Sequence, residues 1–414
     1  MSLALLLSLA LSQPAPDAPP AADAPKEVAP AAAAEPGKSA PSAAPGVLAP
    51  SVESDSAKFG AGKQPKVPTI KFSSDVPWWQ RLAVGGFARV GVFYTFPFAD
   101  DQLVGSNGGF RVADFRLNFE FKPVEKFTAY TSVEFAAPLV DPNDPLVGRR
   151  IVDLRDAYVQ YDVCEGFQVR AGQFRPPYYA EMLLSDGAIP FVNRSVLAGG
   201  LAPPEAYGPR NALAPDRQIG VQLFSRRLGS DALGIKYAVG VFNGNGQNAL
   251  FNDNNMVQPV ARVEIDVFRQ VTLGLNGYYN QRAEGVRPNR LYVDQLAYGA
   301  DLEARAGGFG VLVAFLGKSS SFNYPGLQPE SALGGLAQLR YLHEGTGLEA
   351  AVRGAYYEPS TAQVDDQVVE VAAMVGWRPA GLPFRVLVQY THRSEEQRVS
   401  YPNDSVDAMI HAVW

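Results

Sequence analysis

Between Trp78 and Trp414 one pattern recurs: apolar and polar residues alternate with a period of two, segment after segment. Phe115, Leu117, Phe119 and Phe121 interleave with Arg116, Asn118, Glu120 and Lys122. After a break at 123–126, Phe127, Ala129, Thr131, Val133 and Phe135 interleave with Thr128, Tyr130, Ser132 and Glu134. Residues two apart share one face of a strand, so each segment has an apolar and a polar face. A soluble sandwich meets that demand by burying the apolar faces between two sheets. A transmembrane barrel meets it by turning them to lipid.

Segment number and loop length choose between the two. Sixteen segments centre on Val90, Leu117, Thr131, Val159, Val169, Val221, Tyr237, Val263, Leu275, Leu302, Val313, Ala337, Val352, Val371, Val388 and Ile410. Short connections (123–126, 163–166, 226–232, 305–308, 343–347, 379–383) alternate with long ones (95–109, 136–150, 174–217, 243–256, 393–405). An even strand number with short periplasmic turns and long external loops belongs to bacterial transmembrane barrels. A sandwich has no reason to couple loop length to strand parity. Aromatic placement is an independent check. If strand 1 leaves the periplasm, Trp78, Trp79, Trp377 and Trp414 all fall at one membrane interface, while Phe135, Tyr279, Phe315, Tyr356 and Tyr390 mark the other. Such girdles form because the ring is apolar and its polar tip stays wet.

The polar faces hold the charge. Arg116, Arg170, Lys236, Arg262 and Arg353 share parity with acids such as Glu120, Asp156, Glu264, Asp301 and Glu370. A Lys or Arg facing lipid at mid-bilayer costs about 2–4 kcal/mol, so these side chains must face inward. Sixteen strands leave an interior too wide for side chains to fill, hence an aqueous channel. One break is visible: Asp153 and Arg155 share the outward parity of Ala157, Val159 and Tyr161, which places them above the hydrocarbon band.

Ahead of this region, Leu3 to Leu11 is an apolar run of signal-peptide length, with Ala10 and Ser12 as small residues before a cleavage, although no cation precedes it. Residues 1–12 are therefore read as an export signal. Ala and Pro make up 24 of the 38 residues from Gln13 to Pro50. Such chain has too little apolar surface to offset its ordering entropy, so 13–76 is read as a disordered periplasmic linker, extended where Pro-rich. The barrel domain is 77–414.

Composition removes other classes. A single Cys (Cys164) allows no intramolecular disulfide, and three His leave no Cys/His zinc set. A net charge of −6 without a Lys/Arg run argues against nucleic acid. No cofactor or metal is expected. Gly244-Asn-Gly246-Gln-Asn-Ala249 fits a dinucleotide fingerprint in spelling only, since more Asn follows instead of a helix. Gly317-Lys318-Ser319 lacks the upstream Gly of a phosphate loop; Leu312 stands there. His392 and His411 have no Ser or Cys that spacing places beside them, which leaves a barrel-borne hydrolase as a weak rival.

Two stretches go beyond pattern. Asp156-Ala-Tyr-Val-Gln-Tyr161, then Val169-Arg-Ala-Gly-Gln-Phe-Arg-Pro-Pro177, resemble a hairpin of the phosphate-selective porin O and P family. Asp216-Arg-Gln-Ile-Gly-Val221 followed by Tyr237-Ala-Val-Gly-Val-Phe-Asn-Gly244 is similar to the next. The resemblance implies a trimeric sixteen-stranded outer-membrane porin whose third external loop narrows the pore. It also implies anion selectivity through an inward Arg ladder and a Lys cluster. Here the third loop, Phe174–Arg217, departs: it has Arg175, Arg194, Arg210 and Arg217 against Glu181, Asp186, Glu205 and Asp216, and no Lys. Its apolar residues, among them Tyr178, Tyr179, Leu184 and Ile189, predict that it folds inward and docks on the wall.

The expected function is passive diffusion of small hydrophilic solutes or ions across an outer membrane, weakly anion-preferring, without bond chemistry. Alternatives are a phosphate- or pyrophosphate-selective porin with a saturable site, and an outer-membrane to cell-wall tether built on the linker. Expected partners are lipid and lipopolysaccharide around a homotrimer, and the barrel-assembly machinery acting on the C-terminal strand that ends in Trp414.

Overall fold

The computed structural model describes residues 77–96, 109–140, 148–199, 213–249, 251–284, 290–323, 326, 328–362, 364, 366–397, 399–402 and 404–414. The signal and linker segments, with Glu205, Tyr207 and Arg210, lie outside the described residues. Among the described residues a 3-10 turn, Trp78–Arg81, precedes sixteen strands. These are β1 Leu82–Thr95, β2 Gly109–Val124, β3 Phe127–Val140, β4 Gly148–Cys164, β5 Phe167–Phe174, β6 Gln218–Phe224, β7 Leu233–Phe242 and β8 Gln258–Val267. They continue with β9 Val271–Glu284, β10 Leu291–Ala306, β11 Phe309–Phe322, β12 Glu330–His343, β13 Leu348–Glu358, β14 Val368–Trp377, β15 Phe384–Gln397 and β16 Ser405–Val413. Two short pieces, Leu228–Gly229 and Val399–Pro402, lengthen the hairpins they adjoin.

Every strand pairs antiparallel with its chain neighbours, and β1 pairs with β16 from Phe87↔Val413 to Thr95↔Ser405. The sheet thus closes on itself, which removes the edge strands that lipid could not hydrate. At the seam Gly86 and Trp414 exchange backbone hydrogen bonds of 2.9 and 3.1 Å. Gly86 must be bare here, because a Cβ would run into the Arg116 carbonyl and the Trp414 ring.

The faces are inverted relative to a soluble protein. On β13 Val352 is 53% exposed and Arg353 2%. The outward side chains of β1, β7, β11 and β14 (Val90, Val239, Val313, Val371) are likewise exposed and apolar, which fits a lipid surface. Among the described residues no helix is long and apolar enough to cross a membrane; the barrel crosses with strands. The aromatic edges fall as the alternation predicts. Trp79, Trp377, Phe309 and Tyr341 are exposed on the short-turn side, Phe135, Phe315, Tyr356 and Tyr390 on the long-loop side.

The structure corrects the placement of Asp153 and Arg155. β4 pairs Asp156 with Ser132 but Leu154 with Val133, so Arg155 is the extra residue of a bulge. One inserted residue reverses parity beyond it. Val152 and Leu154 therefore point outward, whereas Asp153 stands opposite the buried Glu134 and accepts from Gln247 and Asn248. These charges do not sit on the lipid side at any height.

Candidate functional site

β5 ends at Phe174, and the chain leaves the wall before β6 begins at Gln218. Pro176 and Pro177 have no backbone N–H, so the ladder stops there. The chain then enters the lumen through two single-turn helices, α1 Ala180–Leu183 and α2 Val196–Gly199. Tyr178, Tyr179, Leu184, Ile189, Leu197 and Leu213 are all buried. The inner face that takes up this loop is itself apolar: Tyr278, Ala297, Leu312, Leu316, Leu336 and Ala355 join its cluster. A Cβ at Gly334 would collide with Leu197 and Leu213, so a bare wall position admits the loop there.

Polar contacts fix the docked loop. Asp186 meets three guanidiniums: Arg194 at 2.6 Å, Arg116 of β2 at 2.8 Å and Arg175 at 3.3 Å. Burial pushes its carboxyl up, but Arg194, Arg175 and Arg116 outweigh that and hold it well below the usual carboxylate range. Burial, with Arg217 and Arg194 close by, lowers the Arg175 guanidinium to about 9. Glu181 accepts from the Ser195 backbone N–H at 2.8 Å and from the Ser195 hydroxyl at 2.5 Å, which closes the loop on itself. Four wall arginines donate to loop carbonyls: Arg89 to Val192, Arg262 to Tyr178, Arg353 to Asn193 and Arg385 to Ile189. Each also meets a wall carboxylate, respectively Asp114, Asp301, Glu370 and Glu349. Where the loop rejoins the wall, Arg217 makes a two-pronged contact with Asp156 at 2.9 and 3.1 Å.

The apolar cluster takes the loop on the β8–β14 side, and a cavity of about 790 Å³ remains against β2–β8. Loop residues Arg175, Leu183, Ser185 and Gly187 border it, and it reaches the short-turn edge at Glu125 and Arg226. Its lining has eight cationic side chains against five carboxylates, an excess of positive charge. Of the residues singled out from sequence, Arg116, Arg170, Arg175, Arg217, Lys236 and Arg262 line this space. Lys236 is paired with Glu264 at 2.5 Å. Arg194, Glu181, Asp186 and Arg353 do not line it; they hold the loop. Arg210 falls outside the described residues.

Sequence reasoning missed the docking face. On β11 Leu312, Ala314 and Leu316 have inward parity while Val313 and Phe315 face out, so both faces are apolar. That departure from alternation was the available signal. The two weighed histidines have structural surroundings. His411 accepts from Arg385 Nε at 2.9 Å and lies edge-on to Phe87, and His392 contacts Asp404 at 2.6 Å. The Gly244–Ala249 stretch lies in the long loop between β7 and β8, where Gln247 and Asn248 bond to Asp153.

Residues 87–259, running from β1 to the start of β8, match the family model for phosphate-selective porin O and P. The resemblance to that porin family holds. Solved structures with the same fold include the outer membrane channel DcaP of Acinetobacter baumannii, 14% identical over 80% of this chain and 97% of that one, with a TM-score of 0.57. An anion-selective porin from Comamonas acidovorans is 12% identical over 80% and 99%, TM-score 0.55. The trimer form of OmpT of Vibrio cholerae is 12% identical over 80% and 99%, TM-score 0.53. At such identities the likeness is one of fold. No curated relative matches the sequence. The fold is that of an outer-membrane β-barrel porin.

Proposed function

We propose that this porin passes small hydrophilic solutes and ions down their gradients with a weak preference for anions. The observation that carries the reading is the cavity beside the docked loop, open along β2–β8 and lined by more cations than carboxylates. No bond is made or broken; discrimination comes from local field and desolvation at the narrowest point, where Arg175 and Arg217 of the loop stand with Arg116 of the wall. Similarity to structures described as an anion-selective porin and as a trimeric OmpT supports anion preference and a homotrimer. Both termini lie on the periplasmic side in this reading, because the turns are short and the tryptophans gather there. Lipopolysaccharide surrounds the barrel, and the assembly machinery engages β16. The Ala/Pro-rich segment acts as a periplasmic spacer behind a cleaved signal.

The test is conductance of purified protein in planar bilayers under a KCl gradient. Stable channels with a reversal potential on the chloride side are expected. Absence of channels, or a cation-side potential, overturns the reading. Chloride current that inorganic phosphate blocks at low concentration would favour the phosphate-selective alternative instead.

A further inference from the structure

Arg170 of β5 differs from the other charged residues of the wall. Its Nε and Nη2 both donate to one oxygen of Gln160, at 3.2 and 2.8 Å, and among the described residues it has no carboxylate partner. Two of its five N–H groups are thereby used, and Nη1 stays open. Its guanidinium carbon lies 4.4 Å from the centre of the Tyr158 ring, 5.0 Å from Phe224 and 5.4 Å from Phe174. Such stacking favours a flat guanidinium and leaves the charge uncancelled. Two residues earlier on the same face, Gln168 is buried, yet its amide Nε2 has no acceptor. Buried donors without partners are uncommon and call for a ligand or water. Arg170, Gln168 and Phe224 all line the one cavity.

From this grouping we propose a binding subsite for an organic anion that joins a carboxylate to a flat apolar body, an arene carboxylate being the simplest. The carboxylate takes the open edge of Arg170 and the Gln168 amide; the ring lies against Phe224. Inorganic phosphate is a poorer fit, since it holds water tightly and has no surface to cover the rings. The subsite deepens the channel reading and rests on it: the ligand is cargo that pauses on its way through the lumen.

Benzoate is the probe, added to one side of a bilayer in KCl, with acetate and inorganic phosphate for comparison. Benzoate should reduce the current saturably, with a half-blocking concentration about tenfold below those of acetate and phosphate. Arg170→Gln should raise the benzoate value about tenfold, the usual effect of losing one charged hydrogen bond. Arg170→Lys should rescue it only in part, because charge returns without the planar fork. Phe224→Leu should weaken benzoate and leave acetate as it was. Each block is scored against the variant's own KCl current, in barrels confirmed as folded by heat-modifiable migration. Equal block by benzoate and acetate, or a benzoate block untouched in both Arg170→Gln and Phe224→Leu, overturns the subsite while the channel stands. Absence of any KCl current in the wild type overturns the channel reading itself.

Discussion

Three guanidiniums converge on the Asp186 carboxylate, so Asp186→Asn separates charge from shape. The amide is isosteric and keeps one acceptor oxygen; the negative charge is lost, and the other oxygen becomes an NH2 facing a guanidinium. Removing one partner of a buried ion pair costs about 3–5 kcal/mol. That cost falls on a loop that also has the four arginine-to-carbonyl contacts and a buried apolar cluster, so the loop should stay docked. What changes is the field in the narrow part of the lumen. A unit charge about 5 Å from a passing ion contributes about 0.8 kcal/mol at the dielectric of water. Screening over about 10 Å at 0.1 M trims this to about 0.5 kcal/mol. Chloride then gains, and potassium loses, about a factor of two each, and the chloride-to-potassium permeability ratio rises about fivefold.

Reversal potentials in a KCl gradient measure that ratio, and single-channel conductance reports whether the loop has moved. An unchanged ratio at wild-type conductance would refute the assignment of Asp186 as counter-ion to the constriction. A large rise in conductance would refute the claim that the wall arginines suffice to hold the loop. The acid dependence follows from the same carboxyl. Because its pKa is depressed in the folded protein, its contribution is complete above the ordinary carboxylate value and fades only as pH falls through the lower one. Loop anchoring in the wild type should therefore survive mild acid.

Gly334→Val should push Leu197 and Leu213 off the wall, giving a larger and noisier single-channel conductance; a wild-type trace would show that the loop docks elsewhere. Trp414→Ala should lower the yield of heat-modifiable barrel without changing the conductance of what folds, since the ring covers the seam at Gly86 and touches Phe115; normal yield removes that role. A protease-cleavable tag at Gly246 should be cut on intact cells, and cutting only after the outer membrane is broken would reverse the topology. Between β13 and β14, burial and the hydrogen bond and charge of Glu358 push the Asp366 carboxyl up to about 7. As the folded value is raised, residues 359–367 should exchange amide hydrogen faster, beyond the intrinsic rate change, as pH rises through about 7. Asp366→Asn should remove that step.

The period-two pattern was enough to place all sixteen strands, because each side chain reports its face through the simplest of chemical contrasts. It failed where geometry departs from strict alternation. The bulge at Arg155 adds one residue that has no signature in composition, so Asp153 was assigned to the wrong face. The site was legible in part. The arginines of the third loop and wall were visible as charges, yet pairing decides which of them act on solutes, and pairing is tertiary. Arg353 and Arg170 have the same parity and the same side chain. One is covered by the loop and bound to Glu370, the other is open to the cavity and bound to Gln160.

That division has a physical origin. Among its described residues the loop has two single-turn helices, so many of its backbone carbonyls lie outside regular structure, and inside the barrel they have restricted access to water. A guanidinium is suited to satisfying them, since it offers several donors at the end of a long stem and tolerates burial when a carboxylate sits beside it. Arg89, Arg262, Arg353 and Arg385 do this for Val192, Tyr178, Asn193 and Ile189, each beside its wall acid. An inward ladder of arginines is thus required to keep this loop inside the lumen, whatever passes through. Charges the loop does not use, such as Arg170 of β5 and Lys236 of β7, lie along β2–β8, where the docked loop leaves space.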